Sequence, residues 1–178
     1  MNEIEVKILC IDKAAIIQRL EELGLERVKD EHQVNTIYDF PDLSLLAQKG
    51  YARVREIKDK LKDQDQTFMT VKLMLSQEKY KIMEEHETPV ENAAAAHGIF
   101  RSLGMIQRKI LIKDRISYCY NETLIEIDDV AEDEYPFPLL EDETLNEDEF
   151  KEVVELLGYT MAATTSRTMT ESQSARRI

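Results

Sequence analysis

Tryptophan is absent from this 178-residue sequence, cysteine occurs twice, and cationic residues are scarce: Lys and Arg number 23 against 36 Asp and Glu, a formal net charge of −13. That deficit excludes general nucleic-acid binding, which needs a basic surface. It leaves room for a small anionic ligand, because net charge describes the outer surface and not an internal basic pocket. Cys10 and Cys119 lack metal-ligand spacing and read as reduced, structural residues. No apolar run reaches the roughly 20 residues that a membrane-spanning helix needs. The first segment is a charged strand and not a signal peptide, so a cytoplasmic protein without a membrane partner is expected. The length suits one domain, residues 1–178, with a real core.

What is present is alternation. Along Met1–Leu9, Glu3, Glu5 and Lys7 alternate with Ile4, Val6 and Ile8, which puts charge on one strand face and aliphatics on the other. Two like charges in one row repel unless a cation lies between them, which hints at a metal site. A plain amphipathic edge strand with a solvated face would show the same alternation. Asp12 caps a helix with Ile16, Ile17, Leu20 and Leu23 at helical spacing, and Gly24 stops it. Residues 27–40 are extended, and 41–50 form a loop with one turn of helix. Tyr51–Ile57 is a strand with Arg53 and Arg55 on one face, and Lys58–Gln66 reads as a hairpin connection. Thr67–Leu75 pairs back, with Met69, Val71, Leu73 and Leu75 opposite Thr70 and Lys72.

The opening then recurs. Glu85 and Glu87 share a strand face, and a helix over Asn92–Leu103 follows, stopped by Gly104. In the strand 105–120, Lys109, Lys113 and Arg115 oppose Ile110, Ile112 and Ile116; in the next, Glu126 and Asp128 oppose Ile125 and Ile127. The acidic segment 131–143 holds Pro136 and Pro138 and ends in Glu141-Asp142-Glu143. Asn146 caps a last helix with Phe150, Val153, Val154 and Leu157 inward and Gly158 as its stop; the tail from Thr160 is loosely ordered at its end. Three helices thus end in Leu-Gly, and two follow a Glu-x-Glu strand. The pattern is an internal duplication over about 1–75 and 80–143, with a C-terminal helix at about 146–158.

The charged faces are sorted by sign. Glu3/Glu5, Glu85/Glu87, Glu126/Asp128 and Glu141/Glu143 are acidic pairs, whereas Arg53/Arg55 and Lys113/Arg115 are basic, with Lys7 and Lys72 added. If roughly eight such strands close on themselves, the charged faces line a lumen while helices cover the aliphatic outside. Such a lumen suits a polyphosphate with divalent cations, since Arg and Lys donate to phosphate oxygens and carboxylates hold a hard cation that bridges the same phosphates.

Glu3-Ile-Glu5-Val-Lys7 also resembles the ExExK signature of the CYTH family, the triphosphate tunnel metalloenzymes. Further along, Thr36-Ile-Tyr-Asp-Phe40, Ala52-Arg53-Val-Arg55, Thr70-Val-Lys72-Leu, Glu85-His-Glu87, Lys113-Asp-Arg115, Ile125-Glu126-Ile-Asp128 and Pro138-Leu-Leu-Glu141-Asp-Glu143 resemble the family's motifs in order. Asp142 stands where an apolar residue is the family's habit, the glycine usual before that segment is missing, and Met83 replaces a basic residue.

The resemblance implies an α+β fold, an eight-stranded antiparallel β-barrel (a tunnel) with helices packed outside, metal ligands at Glu3, Glu5, Glu126, Asp128, Glu141 and Glu143, and a triphosphate grip by Arg53, Arg55, Lys72, Lys113 and Arg115. Lys7 and Lys72 are the catalytic candidates, Glu85 and Glu87 further lumen carboxylates. His86 points outward, and His32 and His97 take no part. The cofactor implied is Mg2+ or Mn2+. The partner is a small triphosphate (ATP, tripolyphosphate or thiamine triphosphate), and a homodimer is allowed. The layout looks most like the class IV adenylyl cyclase branch, which turns ATP into cyclic AMP and pyrophosphate. An inorganic, nucleoside or thiamine triphosphatase fits the same tunnel, and a non-catalytic polyphosphate or nucleotide sensor is the third reading.

Overall fold

The computed structural model describes residues 2–77, 81–121, 123–131, 138–144 and 147–165, with the side chains of 2–6, 81, 142–144, 147 and 150 outside the description. Period-two alternation produces long strands. They are β1 (Asn2–Leu9), β2 (Glu26–Asp39), β3 (Tyr51–Asp59), β4 (Gln64–Ser76), β5 (Lys81–Pro89), β6 (Ile106–Tyr120), β7 (Thr123–Val130), β8 (Leu139–Thr144) and the short β9 (Thr164–Thr165). Helices α1 (Lys13–Glu22), α2 (Ser44–Ala47), α3 (Ala93–Ser102) and α4 (Glu147–Leu156) lie between them. Strand, helix and three further strands therefore occur twice in the order, once as β1–β4 and once as β5–β8.

Among the described residues the strands form one antiparallel sheet of nine, the short β9 being added to the eight expected, in the order β5-β4-β3-β2-β6-β7-β8-β1-β9. β1, next to last in that order, also pairs with β5 at its other end, Asn2–Glu5 with Glu84–Lys81. β9 takes the continuation of the same β1 edge, at Lys7 and Ile8. β8 pairs along the other edge from Ile4 to Leu9.

Sorting by side chain follows directly from the sequence. Ile16 and Leu20 of α1, and Val153, Val154 and Leu157 of α4 and the turn after it, pack with Ile8, Tyr118, Ile125, Ile127 and Leu140 of the sheet. On another part of the sheet Ala96 and Phe100 of α3 pack with Tyr38, Ala52 and Val54. Each such Leu or Ile contributes about 1.5–3 kcal/mol by leaving water. Asp12 caps α1 by accepting from Ala15 N at 3.1 Å, and Asn92 caps α3 by accepting from Ala95 N at 2.9 Å. Gly24, Gly104 and Gly158 end their helices with φ of 74°, 87° and 80°, the left-handed turn that favours glycine.

Two expectations need correction. The β3–β4 connection is shorter than Lys58–Gln66, since the strands run to Asp59 and resume at Gln64. Buried Asp59 makes this tight turn possible, its Oδ1 accepting from Leu61 N and Lys62 N at 2.9 and 3.1 Å. Helical cover of the aliphatic face is also incomplete: Ile106, Ile110 and Ile112 of β6 are 41–48% exposed. The Asn146 cap, the Phe150 side chain, Pro136 and the tail beyond Thr165 lie outside the described residues.

Candidate functional site

The face opposite the helices is charged and largely buried, with Glu87 at its exposed margin. Paired residues on antiparallel strands point to the same side, so register decides which charges meet. Across β1, β8, β7 and β6 the pairs Lys7–Glu141, Glu141–Glu126 and Glu126–Ser117 form one row. Beside it Asp128 opposes Arg115, which opposes Glu31 on β2.

Arg115 is the hub of this half. It donates to Asp128 through Nε and Nη2 at 2.6 and 2.7 Å, a fork on a carboxylate, and to Glu141 through Nη2 at 2.7 Å. Its Nη1 also stands against Glu126 Oε2, an atom with no hydrogen bond among the described residues. Lys7 Nζ lies 2.8 Å from Glu141, and Lys113 Nζ 2.5 Å from Asp128. Burial opposes charge on Arg115, but Asp128 and Glu126 outweigh it and hold the guanidinium well above its ordinary value. Burial likewise pushes Glu141 up, while Lys7, Lys113 and Arg115 overcome it and hold the carboxyl well below the usual range. Glu126 is lowered in the same way, chiefly by Arg115.

The second half is built on β3, β4 and β5, where Arg53, Thr70 and Glu87 share one row and Lys72 opposes Glu85. Arg53 Nη2 donates to Glu87 and to Thr70 Oγ1, each at 3.2 Å, and Lys72 Nζ lies 2.8 Å from Glu85. Gly50 lets the chain press against this strand: a Cβ there would stand 2.5 Å from the Lys72 carbonyl oxygen. Arg55 differs from its neighbour. Its Nη2 reaches Glu87 only at 3.8 Å, and the Nε atoms of both Arg53 and Arg55 are buried without a hydrogen-bond partner among the described residues. Burial and the adjacent Arg53 pull the Arg55 guanidinium below its ordinary value.

The structure therefore brings together Lys7, Arg53, Arg55, Lys72, Glu85, Glu87, Lys113, Arg115, Glu126, Asp128 and Glu141 on one face. Glu3, Glu5 and Glu143 are placed by backbone alone. Glu5 is registered opposite Glu143 and Lys81, and Glu3 opposite Met83, while their side chains lie outside the description. Among the described residues no three His, Cys, Asp or Glu side chains gather as a metal-ligand set, because the carboxylates turn to Arg and Lys instead. His86 is exposed, His32 bonds Asp114 at 3.1 Å, and His97 bonds Tyr38 Oη at 2.8 Å.

Sequence reasoning did not single out the residues of β2 on this face. Lys29 lies 3.4 Å from Glu126, and Glu31, Gln33 and Asn35 are buried. Their period-two spacing was a usable signal, but two of them are uncharged and the sign-sorting argument passed them over.

Residues 1–169 match the CYTH domain. No curated protein matches. Among solved structures, PH1012 from Pyrococcus horikoshii is 24% identical, with 95% of this chain and 98% of that chain covered at a TM-score of 0.76. A candidate adenylate cyclase from Vibrio parahaemolyticus is 17% identical, with 97% of each covered and a TM-score of 0.77. A Hippeastrum protein, described as a candidate adenylyl cyclase with a dominant triphosphatase activity, is 14% identical, with 86% and 84% covered and a TM-score of 0.65. Those structures share its fold; the match over residues 1–169 carries the assignment, and the chain belongs to the CYTH domain family.

Proposed function

We propose that the protein is a divalent-metal-dependent enzyme that binds a triphosphate inside a tunnel formed by its sheet, and that it turns ATP into cyclic AMP and pyrophosphate. Pairing of β1 with both β8 and β5 supports closure of the strands around their charged face. The observation that carries the reading is Arg55. A guanidinium only 15% exposed, paired among the described residues with Glu87 at 3.8 Å and with no hydrogen-bond partner there for its buried Nε, is costly unless an anion completes it, and a phosphate matches its fork.

Arg53, Arg55, Lys72, Lys113 and Arg115 then hold the phosphate chain and offset charge growing on its oxygens as a P–O bond breaks. Lys7 serves as a fixed positive charge, since an ammonium that holds Glu141 ionised has no lone pair with which to take up a proton. Glu126, Asp128 and Glu141, with Glu3, Glu5 and Glu143, would offer an all-oxygen donor set of the kind that suits Mg2+ or Mn2+, the ion taking over carboxylates that Arg115, Lys7 and Lys113 hold in its absence. The ion would supply charge neutralisation on the phosphates.

Hydrolysis at the terminal phosphorus fits the same grip, and the Hippeastrum neighbour's dominant triphosphatase activity favours it as the second reading. Turnover of ATP, tripolyphosphate and thiamine triphosphate with Mg2+ or Mn2+, all products resolved, separates the two. Cyclic AMP with pyrophosphate supports the cyclase, and orthophosphate alone supports the triphosphatase. No turnover with or without EDTA sinks both and leaves a binding protein.

A further inference from the structure

Two neutral amides, Gln33 and Asn35 of β2, stand on the charged face at 0% and 2% exposure. The orientation of each is settled by its NH2 group. Gln33 Nε2 donates to Glu31 Oε2 at 2.6 Å, and Asn35 Nδ2 donates to the Leu111 carbonyl at 3.3 Å. A flipped amide would set oxygen against oxygen in both places, so the remaining atoms are the carbonyl oxygens. Both oxygens, Gln33 Oε1 and Asn35 Oδ1, are buried without a hydrogen-bond partner among the described residues. Their surroundings differ from the rest of the face. Asn35 is registered opposite Arg55 and Leu111, Gln33 opposite Ile57 and Lys113, and Arg55 opposite Phe68. The two acceptors thus lie beside Leu111 and Ile57, with Phe68 on the far side of Arg55, at the level of the guanidinium whose ion-pair partner stands 3.8 Å away.

An ionised phosphate presents only acceptors and gains nothing from an amide oxygen. A buried acceptor is satisfied by a hydroxyl or amino group, and Phe68, Leu111 and Ile57 favour a flat or apolar body. We infer that Gln33 and Asn35 are specificity-determining residues that receive the hydroxyl- or amine-bearing organic end of the substrate, so that the site selects an organic triphosphate of the nucleoside class over bare tripolyphosphate. The inference rests on the triphosphate reading above and adds the part of the ligand that the cations cannot recognise. A site that hydrogen-bonds a substrate donor rejects the analogue lacking it, because its own buried acceptors are then left unmet.

The test compares wild-type protein with Asn35→Leu and Gln33→Met, using ATP and tripolyphosphate as probes with Mn2+ present. Binding is read by calorimetry and turnover by kcat/KM. Wild-type protein should prefer ATP to tripolyphosphate at least about tenfold, and each substitution should lower the ATP-to-tripolyphosphate ratio by about tenfold. A ratio unmoved by both substitutions overturns the inference, as does equal loss of both ligands, which marks a structural role. If either variant fails to fold, the wild-type preference alone decides. Binding of tripolyphosphate in preference to ATP overturns this inference and leaves the triphosphate reading standing. Binding of neither ligand overturns both.

Discussion

Arg55 Nη2 stands 3.8 Å from Glu87 Oε2, an atom already held by Arg53 at 3.2 Å and by Thr70 Oγ1 at 2.6 Å. The two arginines sit two residues apart on one strand, yet one is partnered and the other is close to a spare charge. Replacing Arg55 by methionine should separate binding from stability. Triphosphate affinity should fall about 10–100-fold, the loss of a hydrogen bond to a charged group. The melting temperature of the ligand-free variant should hold or rise, since burial disfavours the charge removed. A lower melting temperature with unchanged affinity would assign Arg55 to the scaffold.

Arg115 predicts the opposite balance. Glu126, Asp128 and Glu141 all converge on it, so Arg115→Met takes a shared cation from three buried carboxylates and leaves each with one lysine: Lys29, Lys113 and Lys7. Removing one partner of a buried ion pair costs about 3–5 kcal/mol, and denaturant unfolding of the metal-free variant should show a loss of that order. A loss below about 1 kcal/mol would mean that the network is dispensable.

Lys72→Ala should lower turnover by about 10²-fold or more with the fold retained, as for removal of one charge-stabilising donor. Melting temperature and kcat/KM are the two readouts. Unchanged turnover of both ATP and tripolyphosphate would remove the phosphate role of Lys72.

Acid titration tests the Glu141 environment. Its carboxyl is held well below the ordinary range, so it ionises more readily in the folded than in the unfolded chain. The resulting stability is present above the unfolded value, about 4.3, and is lost as pH falls through the folded value. In EDTA, wild-type protein should melt above Glu141→Gln at neutral pH, and the gap should narrow as the pH falls below about 4. A gap that widens on acidification contradicts the assigned environment.

The sequence made the strand faces legible because period-two alternation is local. Glu126 and Asp128 against Ile125 and Ile127 need no tertiary information to be sorted. Helix ends were equally local, each Leu-Gly pair marking a left-handed glycine. Partners were not legible, since the difference between Arg53 and Arg55 depends on how β4 and β5 register against β3. The Gln33–Asn35 row was hidden for a chemical reason: neutral amides carry no sign, and only their neighbours fix which atom is left over. Asp142 interrupts the family pattern, yet Glu141 still meets Lys7 and Arg115, because register and not the identity of residue 142 sets that encounter.

One calorimetric titration tests the phosphate grip most directly: wild-type protein with ATP and then tripolyphosphate in the presence of Mn2+, repeated with Arg55→Met. Binding to the wild-type protein should be saturable and should be weakened about 10–100-fold by the substitution. Absence of binding, or equal affinity for wild type and variant, contradicts the claim that these buried cations hold a triphosphate.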